Sequence, residues 1–320
     1  MKELLRLEHL SIDYQVHAGM LSAVNDLSLS IGQGEIFALV GESGCGKSTI
    51  AQNIMRLSID HNEKVQGKIL FQDKDLLSLS ETEMERIRGK HIGMIFQNPL
   101  DSLNPVYRSG TQVAEALRQD GLSKKEAMKR TIELYRDVQI PEPETRVRAF
   151  PHELSGGMRQ RVMIAMMLAR SPQLLIADEP TTALDVTVEA QILRIMKGLR
   201  DKYGSSVLLI THNFGIVAEI ADRIGIMYAG EIVEEGTVFE IFQHPTHPYA
   251  KALLSALPRC RKTERRIDTI DGAVPRILEK KNECRFCNRC PSAMDICRGK
   301  RPEVRHLSDT HTVRCHLEVN

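Results

Sequence analysis

The residues best suited to chemistry stand together in Gly41-Glu42-Ser43-Gly44-Cys45-Gly46-Lys47-Ser48-Thr49. The spacing G-x-x-x-x-G-K-S is that of a phosphate-binding loop. In such a loop Gly41, Gly44 and Gly46 let the backbone N–H groups, those of Ser43 and Cys45 among them, face inward as an anion nest. The helix opening through Ser48 and Thr49 turns its positive end toward the same point. Lys47 is placed to reach the β- and γ-phosphates of a nucleoside triphosphate such as ATP, and Ser48 to hold Mg²⁺.

A second constellation lies far downstream. Leu174-Leu175-Ile176-Ala177-Asp178-Glu179 is an apolar run ending in two acids. Beside a phosphate loop, Asp178 is placed to bind Mg²⁺ through water and Glu179 to activate the attacking water. Two carboxylates are needed because one serves the metal and the other takes a proton. Thr211-His212 ends another apolar run. A histidine just past the C-terminal end of a parallel strand lies where ligands bind, so His212 is a candidate γ-phosphate contact. Ser155-Gly156-Gly157 opens a helical run and offers a second helix N-terminus for an anion. Tyr14 carries a ring that could stack on an adenine.

The elements that must position these groups follow from pattern. Residues 35–40 are short, apolar and β-prone, and 49–57 suit a helix, which is the context a phosphate loop needs. Residues 4–14 and 23–31 alternate as strands do. Together they predict an antiparallel β-layer against an α/β core. Residues 67–71, 91–96, 174–178 and 207–210 read as further strands, and 223–228 with 231–235 as a hairpin about Ala229-Gly230. Ser80 and Glu83 form a capping box that starts a helix. Between about 98 and 170 the pattern changes to helices, with 111–119 and 124–138 the clearest runs.

Bulk properties narrow the class. The chain has 320 residues, net charge +1, and hydrophobic and charged fractions of 42% and 27%. Near-neutral charge offers no electrostatic footprint for nucleic acid or an anionic membrane surface. The longest apolar run, 162–169, is too short to cross a bilayer. The N-terminus carries no secretory h-region, so a cytosolic location is expected.

Taken together these residues resemble the ATPase subunit of an ABC transporter over roughly residues 1–258. The resemblance implies an ABC ATPase domain: a parallel-sheet core, an antiparallel β subdomain and a helical subdomain. It assigns Walker A to 41–48, the signature to Leu154-Ser155-Gly156-Gly157-Met158-Arg159-Gln160 and Walker B to 174–178. It makes Glu179 the catalytic base, His212 the switch histidine, Gln97 the Q-loop glutamine on Mg²⁺, Asp185 the D-loop aspartate and Tyr14 the adenine-stacking aromatic. Asn213 departs from the aspartate that the family more often has.

Residues 97–105, Gln97-Asn98-Pro99-Leu100-Asp101-Ser102-Leu103-Asn104-Pro105, look like the segment found in dipeptide, oligopeptide and nickel importers. His247-Pro248-Tyr249 does as well. Met158 is typical of the D-type subunit. The resemblance therefore implies a paralogous F-type ATPase partner, two transmembrane permease subunits and an extracytoplasmic substrate-binding protein. It puts the chain at the cytoplasmic face of the membrane. Cargo stays open between peptides and nickel or other metal chelates. A soluble ABC ATPase of DNA repair or translation is the alternative; such proteins usually carry a long coiled-coil insertion or two cassettes, and neither is seen here.

The last stretch, 259–320, reads as a separate cysteine-rich extension. Of seven cysteines in the chain, six fall here: Cys260, Cys284, Cys287, Cys290, Cys297 and Cys315. The segment is rich in charge and poor in large apolar residues, so it is expected to bury little surface and to need a metal to hold it. Four thiolates suit Zn²⁺ or a [4Fe–4S] cluster. The resemblance points to Cys284, Cys290, Cys297 and Cys315 as cluster ligands, with Cys287 and Cys260 spare.

Overall fold

The structure, a computed structural model, describes residues 2–57, 62–96, 103–180, 186–256 and 272–318. Its strands are β1 Glu3–Val16, β2 Gly19–Gly32, β3 Ile36–Val40, β4 Glu63–Phe71, β5 Lys74–Asp75, β6 Ile92–Ile95, β7 Leu174–Asp178, β8 Ser206–Thr211, β9 Arg223–Tyr228, β10 Glu231–Thr237, β11 Val304–His306 and β12 Thr312–Arg314. The chain divides into two compact units. The first is made of Leu79–Leu209 with Gly32–Glu35, and the second of Glu3–Ile31, Ile36–Ser78 and the described residues from Ile210 onward.

In the first unit β8, β7 and β6 lie side by side in that order. β6 and β7 run parallel, from Ile92 opposite Leu174 to Ile95 opposite Ala177. Every residue of these two strands is buried, as the unbroken apolar runs require of a parallel sheet covered on both faces. The helical expectation is met by Ser109–Arg118, Lys124–Asp137 and Gly156–Leu168. Ser123 and Glu126 form a capping box at the second of these, and Ser80 and Glu83 form the box read from sequence.

Arg161 braces the helix Gly156–Leu168. Its guanidinium donates to the carbonyl oxygens of Val138 and Gln139 at 3.2 and 2.7 Å, just past the end of Lys124–Asp137, and to Gln191 Oε1 at 3.0 Å. It satisfies carbonyls that a helix C-terminus leaves open, so it is a packing residue and not a surface charge.

In the second unit an antiparallel layer has the order β2-β1-β4-β5. A second layer runs β11-β12-β10-β9-β3, in which only β3 and β9 are parallel. The β9–β10 hairpin turns through Ala229 and Gly230, both with positive φ, at 44° and 87°. Val40, Val217, Ile224, Ile226, Tyr249 and Phe286 share one core there.

The tail behaves differently from its sequence expectation. Phe286, Cys287, Cys297, Val313 and Cys315 are all buried. β12 extends the sheet beside β10, with Glu234 opposite Val313. Arginines do much of the remaining work. Arg301 meets Glu231 and Asp26, each at 2.8 Å, and Arg285 donates to Ser22 Oγ at 2.9 Å and to the Ala229 carbonyl. Composition understated the docking because one aromatic and several long cationic side chains carry it.

Candidate functional site

The phosphate loop belongs to the second unit. It leaves the fully buried β3 and enters the helix Lys47–Ile54. Gly46 precedes that helix with φ 108°, a conformation that L side chains rarely adopt. A Cβ on Gly46 would also stand 2.5 Å from the Ala23 carbonyl oxygen, and one on Gly41 would stand 2.2 Å from that of Met227. These contacts explain why the loop cannot carry side chains there. Lys47 is 5% exposed and is folded back over the loop. Its Nζ donates to the carbonyl oxygens of Gly41 and Glu42 at 2.8 and 3.0 Å. An ammonium held by two carbonyls inside the loop can turn to phosphate without leaving the nest. Cys45 is buried beneath it, and burial raises its thiol pKa against the opposing pull of Lys47.

Two other candidates share this unit. Tyr14 is half-buried on β1, directly opposite Glu63 of β4. Glu63 accepts a 2.6 Å bond from Asn53 Nδ2, on the loop's own helix. The register of the antiparallel layer is thus keyed to that helix. His212 follows β8, and Asn213 caps the next helix, Phe214–Ile220, by accepting from the N–H groups of Gly215 and Ile216. Asn213 therefore serves as an N-cap, a role in which Asn and Asp are near equals.

The first unit holds the remaining described candidates. Asp178 ends β7 and is 3% exposed. Glu179 follows with φ 44°, a left-handed backbone that costs a non-glycine residue on the order of 1 kcal/mol and that clusters at working sites. It takes Glu179 out of the strand's line. Ser155 is exposed and caps Gly156–Leu168, its Oγ accepting from Met158 N at 3.3 Å. Gly156 and Gly157 occupy the first turn, whose N–H groups have no partner within the helix. Gln97 and Asp185 lie outside the described residues, as does Cys260.

Sequence reasoning missed the ring of residues that holds the phosphate loop from behind. Glu42 N donates to Tyr249 Oη at 3.1 Å, and Gly230 N donates to the Cys45 carbonyl at 2.8 Å. Tyr228, Tyr249 and Phe286 pack edge to face or tilted, with centroids 4.8–5.3 Å apart. The only trace in the sequence was His247-Pro248-Tyr249, which carried no assigned role. A cavity of about 790 Å³ lies elsewhere in the second unit, lined by Arg6, Leu29, Arg301 and Arg314 among others, and no nucleotide-motif residue reaches it.

None of the described cysteines is joined in a disulfide. Cys284 N donates to the Cys297 carbonyl at 2.8 Å, which brings two distant candidates together. Burial pushes the Cys284 thiol up to about 12, and neighbouring thiols of Cys297, Cys287 and Cys315 add to the rise. Burial likewise raises Cys290 and Cys315. The four expected ligands thus share one neighbourhood. Yet among the described residues no group of three or more His, Cys, Asp or Glu stands close enough to hold a metal ion. The expected cluster site is therefore not formed by the side chains as they stand.

Comparison with known proteins fits this geometry. Residues 24–182 match the family described as ABC transporter, and residues 233–297 match the oligopeptide/dipeptide transporter C-terminal region. The chain is 46% identical over 320 residues to the dipeptide transport ATP-binding protein DppD of Bacillus subtilis, covering 99% of this chain and 96% of that one. It is 48% identical over 317 residues to the oligopeptide transport ATP-binding protein OppD of the same organism, covering 98% and 88%. Among solved structures, the ATP-binding cassette MJ0796, a dimer in a post-hydrolysis state bound to ADP and Pi, has a TM-score of 0.66 and 28% identity, covering 73% of this chain and 99% of that one. With relatives this similar over nearly the whole length, the chain belongs to the ABC transporter family, among the ATP-binding proteins of its oligopeptide/dipeptide branch.

Proposed function

We propose that this chain is the ATP-binding subunit of a peptide importer, an ATP hydrolase whose turnover drives uptake through partner permeases. The observation that carries this reading is near-full-length similarity to both dipeptide and oligopeptide transport ATP-binding proteins. The intact phosphate loop, with Lys47 poised inside it, supplies the chemistry.

The residues divide the work. The N–H groups of residues 41–49 bind the phosphates, and Lys47 moves from the Gly41 and Glu42 carbonyls to phosphate oxygen. Ser48, Asp178 and Gln97 are the residues that would hold Mg²⁺, and the ion would supply positive charge against the phosphates. Glu179 takes the proton of the attacking water, and His212 holds the γ-phosphate end. Tyr14 stacks on the adenine. Ser155, Gly156 and Gly157 close over the nucleotide of the facing subunit, and Asp185 serves as the D-loop aspartate. Binding closes the pair and hydrolysis opens it, which gates the permeases.

The finer partners form part of the proposal: an F-type paralogue as the facing ATPase, two permeases, and an extracytoplasmic binding protein that selects cargo. Peptides are favoured over nickel by the names of the relatives. Among the described residues no helix is long and apolar enough to cross a membrane, which suits a peripheral subunit on the cytoplasmic face. A [4Fe–4S] cluster on Cys284, Cys290, Cys297 and Cys315, or Zn²⁺ in its place, is supported by their shared neighbourhood and opposed by the lack of a formed ligand group. A cluster would pin the tail and add nothing to hydrolysis. Iron and acid-labile sulfide in anaerobically purified protein would support it, and their absence would remove it.

The test of the main reading is recovery and reconstitution. Tagged chain drawn from host membranes should bring down two multispanning proteins and a second ATPase. In vesicles that complex should hydrolyse ATP faster when its binding protein carries a di- or oligopeptide. Stimulation by nickel chelates alone would change the cargo. Recovery free of membrane proteins but bound to nucleic acid or ribosomes would favour the non-transport alternative.

A further inference from the structure

We propose that Arg289 is a positioning residue for the nucleotide: it neutralises and anchors Glu42, the one acid inside the phosphate loop. The proposal rests on ATP binding at that loop. Arg289 lies in the cysteine-bearing tail, 247 positions downstream of Glu42. Its Nη1 donates to both carboxylate oxygens of Glu42 at 3.1 Å. The Arg289 side chain is 9% exposed and that of Glu42 is 28% exposed, so water screens the pair poorly.

The arginine is itself held on three sides. Nη2 donates to the Gly272 carbonyl at 3.0 Å, Nη1 approaches Tyr228 Oη at 3.4 Å, and the guanidinium stands 5.6 Å from the Tyr228 ring centre. Tyr228 packs in turn against Phe286 and Tyr249, and Tyr249 Oη accepts the backbone N–H of Glu42. Both ends of Glu42, main chain and carboxylate, are therefore fixed by groups from the C-terminal part of the chain.

The physical need is plain. A carboxylate one residue past Gly41 puts a negative charge beside a nest built for polyphosphate. Unpaired, it would repel the ligand across poorly screened space. Paired with Arg289, the acid keeps its backbone anchor and loses its repulsion. The nucleotide affinity of the loop thus depends on a tail segment that no nucleotide motif includes.

The charges can be separated by substitution. The full chain is titrated with a fluorescent ATP analogue and Mg²⁺ at low salt, for wild type, Arg289→Ala, Arg289→Lys, Glu42→Gln and the double variant Arg289→Ala/Glu42→Gln. Arg289→Ala should weaken binding on the order of tenfold. Arg289→Lys should restore most of the affinity. Glu42→Gln should bind as tightly as wild type or more tightly, since it leaves the cation and removes the anion. In the double variant the Arg289→Ala penalty should largely vanish, an outcome that general loosening of the tail would not give. Wild-type affinity in Arg289→Ala, an undiminished penalty in the double variant, or weaker binding by Glu42→Gln would each overturn the proposal. Lys47→Ala serves as the control: if it binds as wild type, the site itself has been misassigned.

Discussion

The backbone N–H of Gly230 donates to the carbonyl oxygen of Cys45 at 2.8 Å, tying the β9–β10 turn to the phosphate loop. The carbonyl of Ala23 faces both residues' surroundings: a Cβ on Gly46 would approach it to 2.5 Å and one on Gly230 to 2.6 Å. Loop, hairpin turn and β2 therefore meet backbone to backbone, with no room for a side chain between them.

Gly230→Ala should expose this dependence. The position has φ 87°, so the alanine is strained before it meets Ala23 or the Arg285 guanidinium. ATP affinity is expected to fall about tenfold, with stability lowered by about 1–3 kcal/mol. Nucleotide titration beside urea unfolding separates the two effects. Unchanged nucleotide affinity would show that the turn does not brace the loop.

Glu179→Gln should keep ATP binding and lose most turnover in the assembled transporter, because the amide accepts no proton. Lys47→Ala should weaken binding itself. Single-turnover hydrolysis set beside equilibrium binding distinguishes the two defects. Normal hydrolysis by Glu179→Gln would assign the base elsewhere.

Stability should fall with acid partly through His247. This side chain is buried, accepts the backbone N–H of Tyr249 at 3.0 Å on Nδ1, and has its pKa lowered by burial to about 3. Its ordinary value is 6.5, so below that pH the unfolded chain takes up a proton that the folded chain refuses. The contribution is complete above pH 6.5 and declines toward pH 3, by at most about 1.4 kcal/mol per pH unit. His247→Asn keeps an N-cap acceptor without the titration. Its urea midpoints between pH 7.5 and 5 should change less steeply than those of wild type; equal slopes would refute the assignment.

Phe286→Ala should cost about 3–5 kcal/mol, the usual range for emptying a large aromatic site in a core. The residue is 2% exposed and packs on Tyr228, Tyr249 and His247. Limited proteolysis should then cut the tail far faster than in wild type. Unchanged protection would mean the tail is held by its arginines alone.

Local signals made most of the architecture legible. The phosphate loop, the buried β3 and β7, the Ser80 cap and the Ala229-Gly230 turn each rest on a few adjacent residues with one physical solution. The candidate ligands were legible for the same reason. Illegible were the contacts between segments remote in sequence. Nothing in Cys287-Asn288-Arg289-Cys290 announces that Arg289 meets Glu42, since a surface arginine has the same local signature. β11 and β12 were missed because three-residue strands carry too little periodicity and gain their pairing from β10.

The pairing of β12 on β10 has a further consequence for solubility during assembly. Without the last fifty residues, β10 would offer an open row of N–H and C=O groups to any other extended chain, an invitation to aggregate. The tail replaces that border with β11, only three residues long and bearing Arg305 and His306. A short, basic border is a poor template for further strands. With β11 as its edge, that side of the sheet offers other extended chains, copies of this one included, little to pair with.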